Sequence, residues 1–120
     1  MIQARYDQKY NAIIIEFSGK INVAEVERSQ EALRPLVLQR SKGFKLLTDF
    51  SGVEEMDLGV RETIKKNMDL FNAQGVKEIL RVIPDPAQDI GFNIMSLFHY
   101  SKDVKFLIFK TREEAEAHLS

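Results

Sequence analysis

The chain has 120 residues and a formal net charge of −1, its basic and acidic side chains balancing at 17 against 18. That length predicts one domain over residues 1–120 with a single hydrophobic core, and without a basic excess a nucleic-acid partner held through its phosphates is not expected. There is no cysteine, which excludes a disulfide framework, a thiolate metal site and a cysteine nucleophile.

The N-terminus, Met1-Ile2-Gln3-Ala4-Arg5, has no apolar h-region, so a signal peptide is not expected. No apolar run approaches the roughly 18 residues that span a bilayer. These features point to a cytoplasmic protein.

Residues 2–7 and 12–18 read as two strands joined by the turn-forming stretch Asp7-Gln8-Lys9-Tyr10-Asn11, an N-terminal hairpin. In the second strand Ile13, Ile15 and Phe17 share one face by period two, and Ile14 makes the other face apolar, as in a central strand. Asn22 then opens a helix, with Glu25 at capping-box spacing. Pro35, late in that helix, predicts a kink or a restart. Residues 44–50 form the next strand. Asp57 reads as the N-cap of a second helix, whose Val60, Ile64, Met68 and Phe71 recur at helical spacing before Gly75 stops it. A strand at 76–83 is broken by Pro84-Asp85-Pro86. Asp89 caps a third helix carrying Ile90, Ile94, Met95, Leu97 and Phe98. A last strand covers 104–109, and Thr111 with Glu114 caps a short terminal helix.

Strands that alternate with helices after a hairpin imply crossover connections. The expected fold class is α/β: a mixed five-stranded sheet, antiparallel at the N-terminal hairpin and parallel thereafter, with about four helices.

Few residues offer chemistry. His99 and His118 lack partners at metal-ligand spacing, and no glycine-rich phosphate loop occurs, so neither a metal nor a cofactor is expected. Asp49, Asp57, Asp85 and Asp89 should lie near the carboxyl ends of parallel strands, where open α/β sheets place their sites. Asp57 and Asp89 are equally explained as helix caps, and Asp85 as a turn residue. Ser51, in Ser51-Gly52, has the chemistry of a nucleophile or phosphoacceptor but no motif gives it a base, and it reads as a turn residue. Ile90, Phe92, Ile94, Met95, Leu97 and Phe98 wrap too far round their helix for one core stripe, so that helix is either deeply buried in the core or covers an apolar ligand or a partner.

The stretch Leu46-Leu47-Thr48-Asp49-Phe50-Ser51, continuing to Met56-Asp57-Leu58-Gly59-Val60, resembles the STAS family (sulfate transporter and anti-sigma factor antagonist), in particular its SpoIIAA-like group. There a buried strand ends in Asp-Leu-Ser or a variant, and an aspartate precedes a serine or threonine at the start of the next helix. The resemblance implies a non-catalytic regulatory or interaction module, compatible with a homodimer. Its protein partner would meet Ser51, Gly52, Asp57, Leu58, Gly59 and Arg61. Leu58 and Gly59 follow Asp57 where the family's phosphoacceptor would stand, so a kinase switch at that position is not expected. The group also resembles lipid-carrier domains with a mobile apolar helix, which gives the alternative of a small carrier for an apolar or lipid-like ligand beneath the helix at 90–98.

Overall fold

The computed structural model describes residues 1–85, 100 and 102–120. Strands β1 (Ile2–Asp7) and β2 (Ala12–Ile21) form the antiparallel hairpin, Ile2 facing Phe17 and Asp7 facing Ala12. Asn11 closes the turn at φ 52°, in the left-handed region that asparagine tolerates. Its side-chain oxygen accepts a hydrogen bond from the Tyr6 hydroxyl at 2.8 Å. Helix α1 (Val23–Leu38), β3 (Lys45–Met56), α2 (Val60–Gln74), β4 (Glu78–Val82), β5 (Lys105–Phe109) and α3 (Arg112–Leu119) follow. The sheet runs β1-β2-β3-β4-β5, and every pairing after the hairpin is parallel.

This is the mixed sheet expected from the sequence. Three helices occur among the described residues. The helix expected at 89–98, with Ile90, Phe92, Ile94, Met95 and Phe98, lies outside them, as do Asp89 and His99.

Both faces of the sheet centre are covered, which is why Ala12, Ile13, Ile14 and Ile15 are buried in succession. Ile13, Ile15 and Phe17 pack with Val26, Leu33 and Val37 of α1 and with Val60, Ile64, Met68 and Phe71 of α2. Ala12 and Ile14 pack on the opposite side with Leu47, Leu80 and Val82, beneath Ala115 and Leu119 of α3. Both side-chain caps form: Asn22 accepts from the Glu25 amide at 2.8 Å and Thr111 from that of Glu114 at 3.2 Å.

Three local expectations are corrected. Helix α1 does not restart at Pro35 but runs through it to Leu38. The proline stands in the last turn, so the helix forfeits one bond, to the carbonyl of exposed Glu31, and the Pro35 carbonyl still accepts from Gln39 at 3.2 Å. Strand β3 does not end at Phe50 but extends to Met56, because β2 also runs on to Ile21 and supplies a partner: Ser18 pairs with Gly52 and Ile21 with Met56. Ser51 is therefore a strand residue, not a turn residue. Asp57 does not cap α2. The N-cap is Gly59 at φ 93°, with no side-chain cap, and burial of Val60 sets the helix start.

Among the described residues no helix is long and apolar enough to cross a membrane.

Gly75 ends α2 at φ 88°, and its carbonyl accepts from the Gly43 amide at 2.8 Å, tying the end of α2 to the start of β3. A Cβ there would stand 2.7 Å from Lys42 Cγ and 3.2 Å from its Cα. Gly75→Ala should therefore cost about 1–2 kcal/mol, read as a lower urea midpoint at unchanged slope.

Candidate functional site

Two polar clusters and one cleft are the places where chemistry or binding could reside. The first cluster joins β3 to α3. Asp49, 7% exposed, points to the α3 face of the sheet. Its Oδ2 accepts from Arg112 Nη1 at 2.9 Å, and its Oδ1 accepts from the Ser51 hydroxyl at 2.6 Å and the Ser51 amide at 2.9 Å. Arg112 Nε also donates to Glu116 Oε1 at 2.8 Å, and Glu16 Oε2 lies 3.6 Å from Nη1. Burial alone would lower the Arg112 pKa, but the hydrogen bonds to Asp49 and Glu116 and the charge of Glu16 outweigh it and hold the guanidinium above its ordinary range.

This arrangement does not make Ser51 a nucleophile. Both Asp49 oxygens are engaged, and a guanidinium neutralises the carboxylate that would have to take the serine proton. The cluster is a tether for α3, which has only eight residues and draws its order from packing.

The second cluster lies between the sheet and α2. Thr48, Asn67, Arg81 and Tyr100 contribute to the lining of a void of about 30 Å³, which has room for a water or two. Arg81 is 3% exposed and its guanidinium stands 4.4 Å from the Phe106 ring centroid. Burial pushes the Tyr100 hydroxyl well above its ordinary range, against the charge of Arg81 and with that of Asp69. Tyr100 is therefore a neutral phenol at any working pH, not a base.

The cleft opens at the β3–α2 turn and has a volume of about 530 Å³. Its floor is Phe50, Val53, Met56, Val60 and Ile83, with Phe50 held by a stacked contact to Phe17 at 4.6 Å between centroids. The turn Asp57-Leu58-Gly59 forms one wall. It is anchored by the Asp57 amide, which donates to the Ile21 carbonyl at 3.0 Å, and by the Asp57 carbonyl, which accepts from Val60 at 3.3 Å. Leu58 follows and is 99% exposed.

The structure divides the residues singled out from the sequence. Asp57, Leu58, Gly59 and Arg61 come together at the cleft. Ser51 turns instead to Asp49, and Gly52 sits where a Cβ would stand 3.1 Å from Ser18 Cβ. Asp85 is exposed just past the end of β4, and His118 pairs with Glu78 at 2.6 Å. Of the cleft residues, Glu62 was missed by sequence reasoning, and Val53, Glu54, Glu55 and Met56 were covered only as part of the stretch from Gly52 to Arg61 without being singled out. The signal that marks them is the glycine in Ser51-Gly52, which fits a close strand approach to Ser18 rather than a turn. Among the described residues no group of three or more histidine, aspartate and glutamate side chains is arranged to hold a metal ion.

A mixed five-stranded sheet whose central strand runs on into an exposed turn before the second helix defines a small α/β domain of SpoIIAA-like fold. The STAS domain family model matches residues 3–115, and the chain belongs to that family. The structure is similar to that of the anti-sigma factor antagonist SpoIIAA in its unphosphorylated form, with a TM-score of 0.70 and 16% identity over 99% of this chain and 97% of that one. It is similar to the Bacillus cell fate determinant SpoIIAA in the phosphorylated form, with a TM-score of 0.70 and 16% identity over 100% of both chains. It also matches an uncharacterised protein with a SpoIIAA-like fold from Shewanella loihica, with a TM-score of 0.72 and 14% identity over 100% of this chain and 93% of that one. No curated protein matches the sequence. At these identities the structural likeness establishes the fold.

Arg112→Ala would leave Asp49 without its cation and loosen α3. The expected loss is about 2–3 kcal/mol in chemical denaturation, with Arg112→Lys falling between alanine and wild type because a lysine cannot serve Asp49 and Glu116 in the same fork.

Proposed function

We propose that this STAS domain, acting as one unit over residues 1–120, is a non-catalytic cytoplasmic interaction module that docks a protein partner at the β3–α2 turn. The observation that carries the reading is Leu58, 99% exposed at the tip of a turn whose backbone is fixed on both sides. A leucine held in water gains nothing for folding. Transferred to a partner's surface it contributes about 1.5–3 kcal/mol, and an anchor pre-positioned in this way binds with little ordering cost.

The same turn supports a module without the phosphorylation switch of its relatives. SpoIIAA exists in phosphorylated and unphosphorylated forms. In this chain Asp57-Leu58-Gly59-Val60 offers no hydroxyl at the turn. The flanking hydroxyls are committed: Thr63 is 7% exposed and donates to the Gly59 carbonyl at 3.2 Å, and Ser51 donates to Asp49. The alternative, carriage of an apolar or lipid-like ligand beneath the helix at 90–98, falls on residues outside the described ones.

Leu58→Asp tests the docking surface. The side chain is wholly exposed, so the circular dichroism spectrum and melting temperature should stay at wild-type values while affinity for a partner recovered from cells falls at least about tenfold. Unchanged affinity would remove this surface from the account. Incubation with an anti-sigma-type kinase and ATP tests the missing switch: mass mapping should find no phosphate between residues 51 and 63, and a phosphorylated residue there would overturn that part of the reading.

A further inference from the structure

The cleft beside Leu58 has an apolar floor and an acidic rim. Phe50, Val60 and Ile83 are buried in the floor. Glu54, Glu55, Asp57 and Glu62 stand exposed around it, and among the described residues Arg61 is the one basic residue that lines it. Among the described residues no cation lies within ion-pair distance of any of these four carboxylates, and none of them accepts a hydrogen bond. Several acids elsewhere are engaged, among them Asp7 with Arg5, Glu25 with the Met1 ammonium, Asp49 with Arg112 and Glu78 with His118. Among the described lining residues four carboxylates thus stand against one guanidinium, and the mouth of the apolar floor is net negative.

We propose that the occupant of this cleft is a basic amphipathic segment of another protein. Its apolar side chains would lie on the floor and against Leu58, and its lysines and arginines would reach the rim carboxylates. The proposal rests on the interaction-module reading and adds to it the chemistry of the partner. Carboxylates of one sign around a low-dielectric floor focus a negative potential, which speeds the approach of a cation and repels an anion. The same charge disfavours the other occupants. Two copies of this face would oppose like rims, and a phosphate backbone, an anionic bilayer surface or a fatty-acid carboxylate would each meet repulsion.

Two synthetic peptides with an identical leucine face, one with lysines and one with glutamates on its polar face, provide the test. Each is titrated into the isotope-labelled full chain and followed by nuclear magnetic resonance. The lysine peptide should shift the amides of residues 53–62, bind at least about tenfold more tightly than the glutamate peptide, and weaken at least about tenfold from low to high salt. A variant with Glu54→Gln, Glu55→Gln, Asp57→Asn and Glu62→Gln, all at exposed positions, should fold normally and lose both the preference and the salt dependence. Binding by neither peptide, equal binding by both, shifts centred outside the cleft, or salt dependence surviving neutralisation would each overturn the proposal. The two readings fail separately. If a natural partner is lost on Leu58→Asp yet keeps its affinity for the neutralised variant, the charge inference falls and the interaction module stands.

Discussion

The parallel pairing of β2 with β3 outruns the rest of the sheet, and the placement of the cleft depends on it. Strand β4 leaves β3 at Asp49, opposite Val82, while β2 accompanies β3 as far as Met56. The extra length is irregular, with register shifts between Glu16 and Ser18 and between Gly19 and Lys20. Such bulges bend and twist a strand. The result is a two-stranded arm that carries the next turn beyond the sheet and stops it with a hydrogen bond from Asp57 to Ile21. Without that arm, residues 51–56 would be a loop, and Leu58 would have no fixed position from which to meet a partner.

The two faces of the sheet serve different ends. One carries α1 and α2 and the larger share of the apolar core. The other carries the short α3, held by Ala115 and Leu119 over a small apolar patch and by Arg112 over a carboxylate pair from adjacent strands. Asp49 is thus the residue through which the arm and the terminal helix are joined: its Oδ1 orders Ser51 at the point where β3 parts from β4, and its Oδ2 anchors α3. An aspartate that looks catalytic by its position at a strand end is here a structural node, because both of its oxygens are engaged by donors that the fold requires.

Much of the fold was legible in local pattern. The alternation of Ile13, Ile15 and Phe17, the spacing of Val60, Ile64, Met68 and Phe71, the caps at Asn22 and Thr111 and the stop at Gly75 each report an interaction within a few residues, and each is where the pattern placed it. The arm was not legible. Ser51, Glu54 and Glu55 lack the apolar alternation of a strand because the arm is exposed, and Ser51-Gly52 imitates a turn when its glycine answers a close approach to Ser18. The role given to Asp57 failed for a related reason. Gly59 supplies the left-handed geometry before α2, and a glycine N-cap makes no side-chain bond that sequence spacing could reveal. The tether between Asp49 and Arg112 spans 63 residues and leaves no local trace. Of the candidate site, the turn at 57–59 was found through its family resemblance, and the acidic rim required the structure.

The central claim is that the β2-paired arm holds the 57–59 turn in place in the free protein. Residue-resolved hydrogen exchange tests it most directly. The Asp57 amide, bonded to Ile21 at 3.0 Å, should exchange slowly, with protection approaching that of the central strands, while the amide of Leu58, at the exposed tip, exchanges fast. Equal, rapid exchange at Asp57 and Leu58 would show the arm to be frayed and would contradict the account.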